Sequence, residues 1–305
     1  MPAGPDLALG PALEFPPGPE EAPSGSRWAL FLSGLVRRKL ALASAVYLVL
    51  LVAGTVIVPQ VTGYGADDID LAATLAPPSG AHPLGTDENG RDILTRLFVG
   101  GQVSLTIGFV AMIVAVGLGT LIGGLAGYIG GASETLLMAF TDAFLAIPIF
   151  FITMTVLTLF GSTVPNIVLV IGLTGWMIVA RVVRSEVLRI KHYEYVIAAA
   201  ALGASRRRIF VKHILPQAFP LIVVAAALSL AWAILVETSL SYLGLGVQPP
   251  DPSWGNMLAN AQQYVFSAPM LAVYPGVLIL LTVLAFNYLG SVLRDVLEVG
   301  SVEPS

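Results

Sequence analysis

Six long runs of apolar residues, at about 40–58, 103–128, 135–160, 164–180, 218–242 and 273–293, constrain this chain more than any other feature. Four carry no charge at all, and the other two carry one acidic residue each, Asp142 and Glu237. Wound as a helix at about 1.5 Å per residue, a run like Leu40 to Val58 spans roughly 28 Å, the depth of a bilayer's hydrocarbon core. Only 11% of the 305 residues are charged, and the mean hydropathy is +0.85. Soluble domains carry about 25% charged residues, so polar surface is too scarce here for a water-soluble fold. In lipid each span must satisfy its own backbone hydrogen bonds. The expected fold class is therefore all-α: a polytopic membrane bundle of six helices.

Lysine and arginine set an expected orientation. With six spans, thirteen of the fifteen basic residues fall on the side that holds both termini and the loops at 129–134 and 181–217. The opposite side holds only Arg91 and Arg96, beside Asp67, Asp68, Asp70, Asp87, Glu88, Asp92 and Asp251. The positive-inside rule then places both termini in the cytoplasm. Residues 1–26 are rich in Pro, Gly and Glu and form an expected disordered tail, with residues 27–305 as the membrane domain. The tail has no basic start or short apolar core of a cleaved signal peptide, and Arg37, Arg38 and Lys39 precede the first run. In the second run Gly117, Gly119, Gly123, Gly124 and Gly127 suit close packing of membrane helices.

Several chemistries are excluded. The lysines are Lys39, Lys191 and Lys212, and none follows a glycine, so no Walker-type phosphate loop is present. There is no cysteine, and His82, His192 and His213 fall in loops or at helix ends, so neither a thiolate nor a HExxH zinc site is expected. Catalytic, cofactor-binding and metal-binding residues are expected to be absent, as is a nucleic-acid partner. Buried mid-membrane carboxylates typical of ion-coupled carriers are also scarce. Asp142 and Glu237 read either as pathway groups or as polar contacts that pair and orient the bundle.

The stretch from Arg181 to Gln217 carries the sharpest signal. A basic helix is expected to run on from the fourth span. Tyr193, Tyr195, Ala198 and Ala199 then lie in a short alanine-rich helix ended by Gly203. After Ala204, Ser205 is placed to cap a second helix, with Leu215 and Pro216 breaking it before the fifth span. Such a pair suits either a groove on a partner protein or phospholipid head groups. The spacing Ala198-Ala199-x-x-x-Gly203, then His213-x-Leu215-Pro216, resembles the EAA loop of ABC-importer permeases. Ile197 stands where that pattern has glutamate, and His213 where the general form has isoleucine.

Two further segments resemble the dipeptide and oligopeptide branch, the DppC/OppC-like family, across roughly residues 30–297. One is His82-Pro83-Leu84-Gly85-Thr86-Asp87 with Gly90-Arg91-Asp92 and Gly101-x-x-Ser104. The other is Ser239–Gly246 with Pro250-x-Pro252-Ser253-Trp254-Gly255-Asn256. On physical grounds the first reads as capped turns at the start of a helix, with Arg91 and Asp92 pairing on a wet surface. The second reads as a turn whose Trp254 anchors at the membrane interface. Ser291 stands at a position usually acidic in the family.

The resemblance implies a permease of the bacterial or archaeal cytoplasmic membrane that imports short peptides by alternating access. It implies a homologous second permease, two cytoplasmic ATPase subunits carrying ATP and Mg, an extracytoplasmic substrate-binding protein, and a coupling loop at 190–216. Relatives of this shape also move nickel or oligosaccharides. Outside the family, a stand-alone secondary carrier or a membrane scaffold is the alternative.

Overall fold

The computed structural model describes residues 38–299, and every regular element among them is helical. The tail at 1–26, Arg27 and Arg37 lie outside these residues. The helices are α1 (Lys39–Val61), α2 (Ile93–Ile129), α3 (Gly131–Leu145), α4 (Ile149–Phe160) and α5 (Val164–Ile190). They continue as α6 (Glu194–Ala201), α7 (Arg206–Tyr242), α8 (Trp254–Ala261) and α9 (Met270–Val299). Five of them, α1, α2, α5, α7 and α9, are long and apolar enough to cross a bilayer. The pair α3 and α4, bent by 75°, passes the same test only when taken together as one broken span, so the described residues hold five or six candidate spans.

Packing centres on α2 against α5. Gly119, Gly123 and Gly127 recur every fourth residue and so share one face of α2. A methyl on Gly123 would come within 2.2 Å of the Ala180 carbonyl oxygen, and one on Gly119 within 2.5 Å of Val179 Cβ. The stripe therefore lets the two backbones touch, which is how helices associate without a hydrophobic driving force. α7 closes the group: Ile234 and Leu230 press on Gly108 of α2, and Trp232 on Gly175 of α5. α9 and then α1 pack outside it. The Tyr47 hydroxyl lies 3.0 Å from Thr282 Oγ1, and Gln102 of α2 donates to the Thr55 carbonyl of α1.

The second and third apolar runs differ from their sequence-expected helix limits. α2 starts ten residues before 103, because Asp92 caps it by accepting from the Thr95 amide at 2.8 Å. α5 runs on to Ile190, as expected of a basic helix continuing from the fourth run, since Val183, Val187 and Ile190 keep a buried stripe in helical register. The third run is not one helix. It stops at Leu145 and restarts after Pro148, a residue that cannot continue a helical ladder.

The expected break at Leu215-Pro216 does not occur. α7 is continuous from Arg206 through one wide π-turn at Phe210–Ile214, in which the Leu215 amide reaches back five residues to the Phe210 carbonyl. That extra residue gives the Pro216 ring room and absorbs its missing N–H, so the helix proceeds.

Candidate functional site

At one end of the bundle α6 and the start of α7 form a helix–turn–helix. Tyr193 enters α6 in extended conformation, and Gly203 ends it in the left-handed region at φ +84°. The Ala204 amide then closes on the Ala199 carbonyl at 3.1 Å, and Ser205 Oγ accepts from the Arg208 amide at 3.3 Å. Gly203 has open space where a side chain would project. Its glycine identity therefore answers to the left-handed turn rather than to internal packing.

This pair is fastened from beneath. Val196 and Ile209 are buried with Val187, Ile190, Ile214 and Ala218, so one hydrophobic cluster joins α5, α6 and α7. α2 is tied to the same unit. Tyr128 Oη donates to the Arg206 carbonyl at 2.9 Å, Lys191 Nζ to the Gly127 carbonyl at 2.9 Å, and the Tyr128 and Phe210 rings lie 5.4 Å apart. The ring of Tyr195 sits between those of Tyr193 and His213, at 5.9 and 6.4 Å. The outer face of the pair carries Tyr195, Ile197, Ala198 and Leu202, and Leu202 is 89% exposed. Ala199 and Leu215 are half-buried, and Pro216 is exposed. The position that departs from the EAA pattern, Ile197, thus adds an apolar group to this exposed face.

At the opposite end the residues expected on a wet surface are buried. Thr86, Asp87, Arg91, Asp92 and Arg96 are all inaccessible. Asp87 is the hub: its carboxylate accepts from the Asn89 and Arg91 amides at 2.9 Å and from Arg91 Nε at 2.7 Å, and Arg96 Nε lies 3.4 Å away. Arg91 and Asp92 do not pair. They are neighbours at the edge of an extended segment, where adjacent side chains point to opposite faces. Arg91 faces Asp87 and Glu88, while Asp92 meets His82 Nδ1 at 2.9 Å and caps α2. Thr86 does not cap a helix. It accepts from the Ala76 amide at 2.8 Å and donates to the Ala73 carbonyl, stapling two loop strands. Gly85 and Gly90 have φ +81° and +75°, and a methyl on Gly90 would fall 1.7 Å from the Asp70 carbonyl oxygen.

Trp254 is not an interface anchor but the largest fully buried side chain of the described residues. It sits at the first turn of α8, against α2 at Gly101, whose missing Cβ leaves the slot the indole fills. A capping box holds that turn: Ser253 Oγ accepts from the Asn256 amide, and Asn256 Oδ1 accepts from the Ser253 amide.

The two intramembrane acids fare differently. Glu237 on α7 is fully buried. Its Oε1 accepts from Ser241 Oγ at 2.7 Å, and the Ser104 and Ser253 side chains also face it. Ser241 in turn accepts from the Val247 amide at 3.0 Å, so the cluster pins the turn before α8 onto α7. Asp142 on α3 is exposed and accepts from Arg181 Nη2 of α5 at 2.6 Å. Sequence reasoning did not pair Arg181 with Asp142, Arg184 with Glu134, or Lys191 with the end of α2. Their separations of 39 to 64 residues leave no local periodicity to find them by. Among the described residues no group of three His, Asp or Glu side chains could hold a metal ion.

Comparison with known proteins places this geometry in context. Residues 119–300 match the family model described as "Binding-protein-dependent transport system inner membrane component". Residues 26–78 match the "N-terminal TM domain of oligopeptide transport permease C". The chain is 36% identical over 264 residues to the oligopeptide transport system permease protein OppC of Haemophilus influenzae, covering 86% of this chain and 85% of that one. It is 34% identical over 288 residues to the dipeptide transport system permease protein DppC of Alkalihalophilus pseudofirmus, covering 94% and 95%. It is 36% identical over 272 residues to the glutathione transport system permease protein GsiD of Pectobacterium atrosepticum, covering 89% and 90%.

Proposed function

Because this chain belongs to the family of binding-protein-dependent transport system inner membrane components, we propose that it forms half of the translocation pathway of an ATP-driven importer of short peptides. It is a multi-pass inner-membrane subunit, and the family is not one of catalytic enzymes. In this reading a homologous second permease completes the pathway, and an extracytoplasmic binding protein delivers the peptide. Two cytoplasmic ATPase subunits bind ATP and Mg. Both termini and the helix pair at 190–216 face the cytoplasm, where Arg206, Arg207, Arg208 and Lys212 of the pair also meet lipid head groups.

The observation that carries the proposal is the exposed face of α6 and its turn. Small and apolar side chains, Ala198, Ile197 and Leu202 with Tyr195 beside them, project from a unit cemented to α2, α5 and α7. An amphipathic helix with such a face lays into a groove of a partner. Because this unit is tied to three membrane helices, to α5 and α7 by its hydrophobic cluster and to α2 by Tyr128 and Lys191, displacement of the pair moves all three together. ATP-driven closure of the ATPase pair would thereby be converted into alternating access. The hydrophobic Ile197 in place of an acid makes this contact one of packing rather than of charge.

Peptide as substrate is supported by the relatives, whose names specify oligopeptide, dipeptide and glutathione transport. The test is uptake of radiolabelled di- and tripeptides into proteoliposomes that hold the co-purified complex with its binding protein. ATP-dependent peptide accumulation is expected. Accumulation of nickel or an oligosaccharide instead would reassign the substrate, and uptake without ATP would support a stand-alone carrier.

A further inference from the structure

The third span breaks at a point with a charged pair beside it. α3 ends at Leu145, and α4 restarts at Ile149 turned by 75°, with no side chain capping its first turn. A break of this kind frees backbone N–H and C=O groups from the helical ladder. Lipid cannot satisfy such groups, so within a bilayer they persist only where protein or water meets them. One turn before the break, Asp142 accepts from Arg181 at 2.6 Å, and the two side chains are 57% and 53% exposed. The chain does not bury these charges, and acyl chains cannot solvate them. Broken backbone and open ion pair therefore make the same demand on the same stretch of surface.

We propose that Asp142 and Arg181 line the aqueous translocation pathway and form a latch that holds α3 to α5 in one access state and opens in the other. An ion pair this exposed contributes little to stability, which suits a contact that must be broken in each cycle. α3 has two further ties to α5: Glu134 to Arg184 nearer the helix pair, and the Phe140 ring stacked 6.2 Å from Trp176. α5 runs without a break from Val164 to Ile190 and enters the α6 turn directly, so Arg181 lies about two and a half turns from the helix pair. Movement there reaches the latch through one rigid rod. The state dependence rests on the importer reading, whereas the contact with water does not.

The absence of native cysteine makes the test direct. Asp142→Cys, Arg181→Cys and, as a lipid-facing comparison, Val49→Cys would be placed singly in the chain, co-expressed with its partners and reconstituted. Labelling would be compared between a charged, membrane-impermeant methanethiosulfonate and a lipid-soluble maleimide. The thiols at 142 and 181 are expected to react with the charged reagent roughly tenfold or more faster than the one at 49, because only a wet thiol ionises readily. Trapping the ATPase with ATP and vanadate should change the 142 and 181 rates severalfold. Transport should be lost in Asp142→Arg and in Arg181→Asp and partly regained in the double exchange. A thiol at 142 that reacts only with the maleimide, or with neither reagent, overturns the pathway placement. Equal rates in both nucleotide states, or no recovery in the exchange, overturn the latch. Failure of an ATPase to co-purify would instead count against the importer reading and leave the labelling comparison between positions 142 and 49 decisive for water contact.

Discussion

The indole N–H of Trp254 donates to the Leu97 carbonyl at 2.9 Å, joining α8 to the second turn of α2 across 157 positions of sequence. The ring is fully buried. Trp254→Ala should therefore cost about 3–5 kcal/mol, the range for emptying a large aromatic from a core. Trp254→Phe, which keeps most of the volume and loses the donor, should cost about 1 kcal/mol, the net worth of one hydrogen bond, because the Leu97 carbonyl keeps its helical bond within α2. Thermal unfolding of the detergent-solubilised complex should rank the two variants in that order.

Gly90 and Gly203 share a left-handed backbone but differ in surroundings. A methyl on Gly90 collides with the Asp70 carbonyl at 1.7 Å, whereas one on Gly203 meets nothing within 4 Å. Gly90→Ala should disrupt the outer loop, seen as rapid proteolysis between residues 62 and 92. Gly203→Ala should cost only the backbone strain, about 1–2 kcal/mol, and leave the protease pattern unchanged.

Asp87 holds two buried arginines, Arg91 and Arg96. Removing one member of a buried ion pair typically costs about 3–5 kcal/mol, because the partner charge is left uncompensated. Asp87→Ala should thus destabilise the complex far more than Asp142→Ala, whose pair is exposed. Midpoints of unfolding for the two variants check this directly.

Glu237 separates an ATP-driven subunit from a proton-coupled carrier. Its contact to Ser241 is that of a scaffold, and Glu237→Gln retains an acceptor for it. Peptide uptake by Glu237→Gln should stay within about twofold of wild type, while Glu237→Leu, which leaves buried hydroxyls unpartnered, should lower stability by about 1–3 kcal/mol. Abolished uptake in a stable Glu237→Gln protein would point to proton coupling.

Much of this was legible in the sequence because a bilayer imposes length and charge rules that local residues reveal. The turn at Gly203 and the cap at Ser205 could be read from residue type, since a left-handed turn and an N-cap are local demands. The outer cluster could not. Whether Asp87 faces Arg91, and whether Trp254 sits in a core or at an interface, depends on partners far away in sequence. The break at Pro148 was hidden by unbroken hydropathy, and the continuity through Pro216 by a π-turn that composition does not announce. The basic helix running on from the fourth span was legible, but the pairing of Arg181 with Asp142 was not, because the two lie 39 residues apart.

The central claim is that the turn at Gly203 enters a groove on an ATPase. It is tested most directly by co-purification from membranes of the tagged wild-type chain and of Gly203→Glu, with the partners identified by mass spectrometry. The open space at Gly203 means the glutamate itself adds no internal clash, so the bundle should remain folded. The account predicts that wild type brings down an ATPase and a second permease, and that Gly203→Glu retains the permease and loses the ATPase. A folded wild-type bundle that purifies alone, or a Gly203→Glu variant that keeps its ATPase in full, would contradict it.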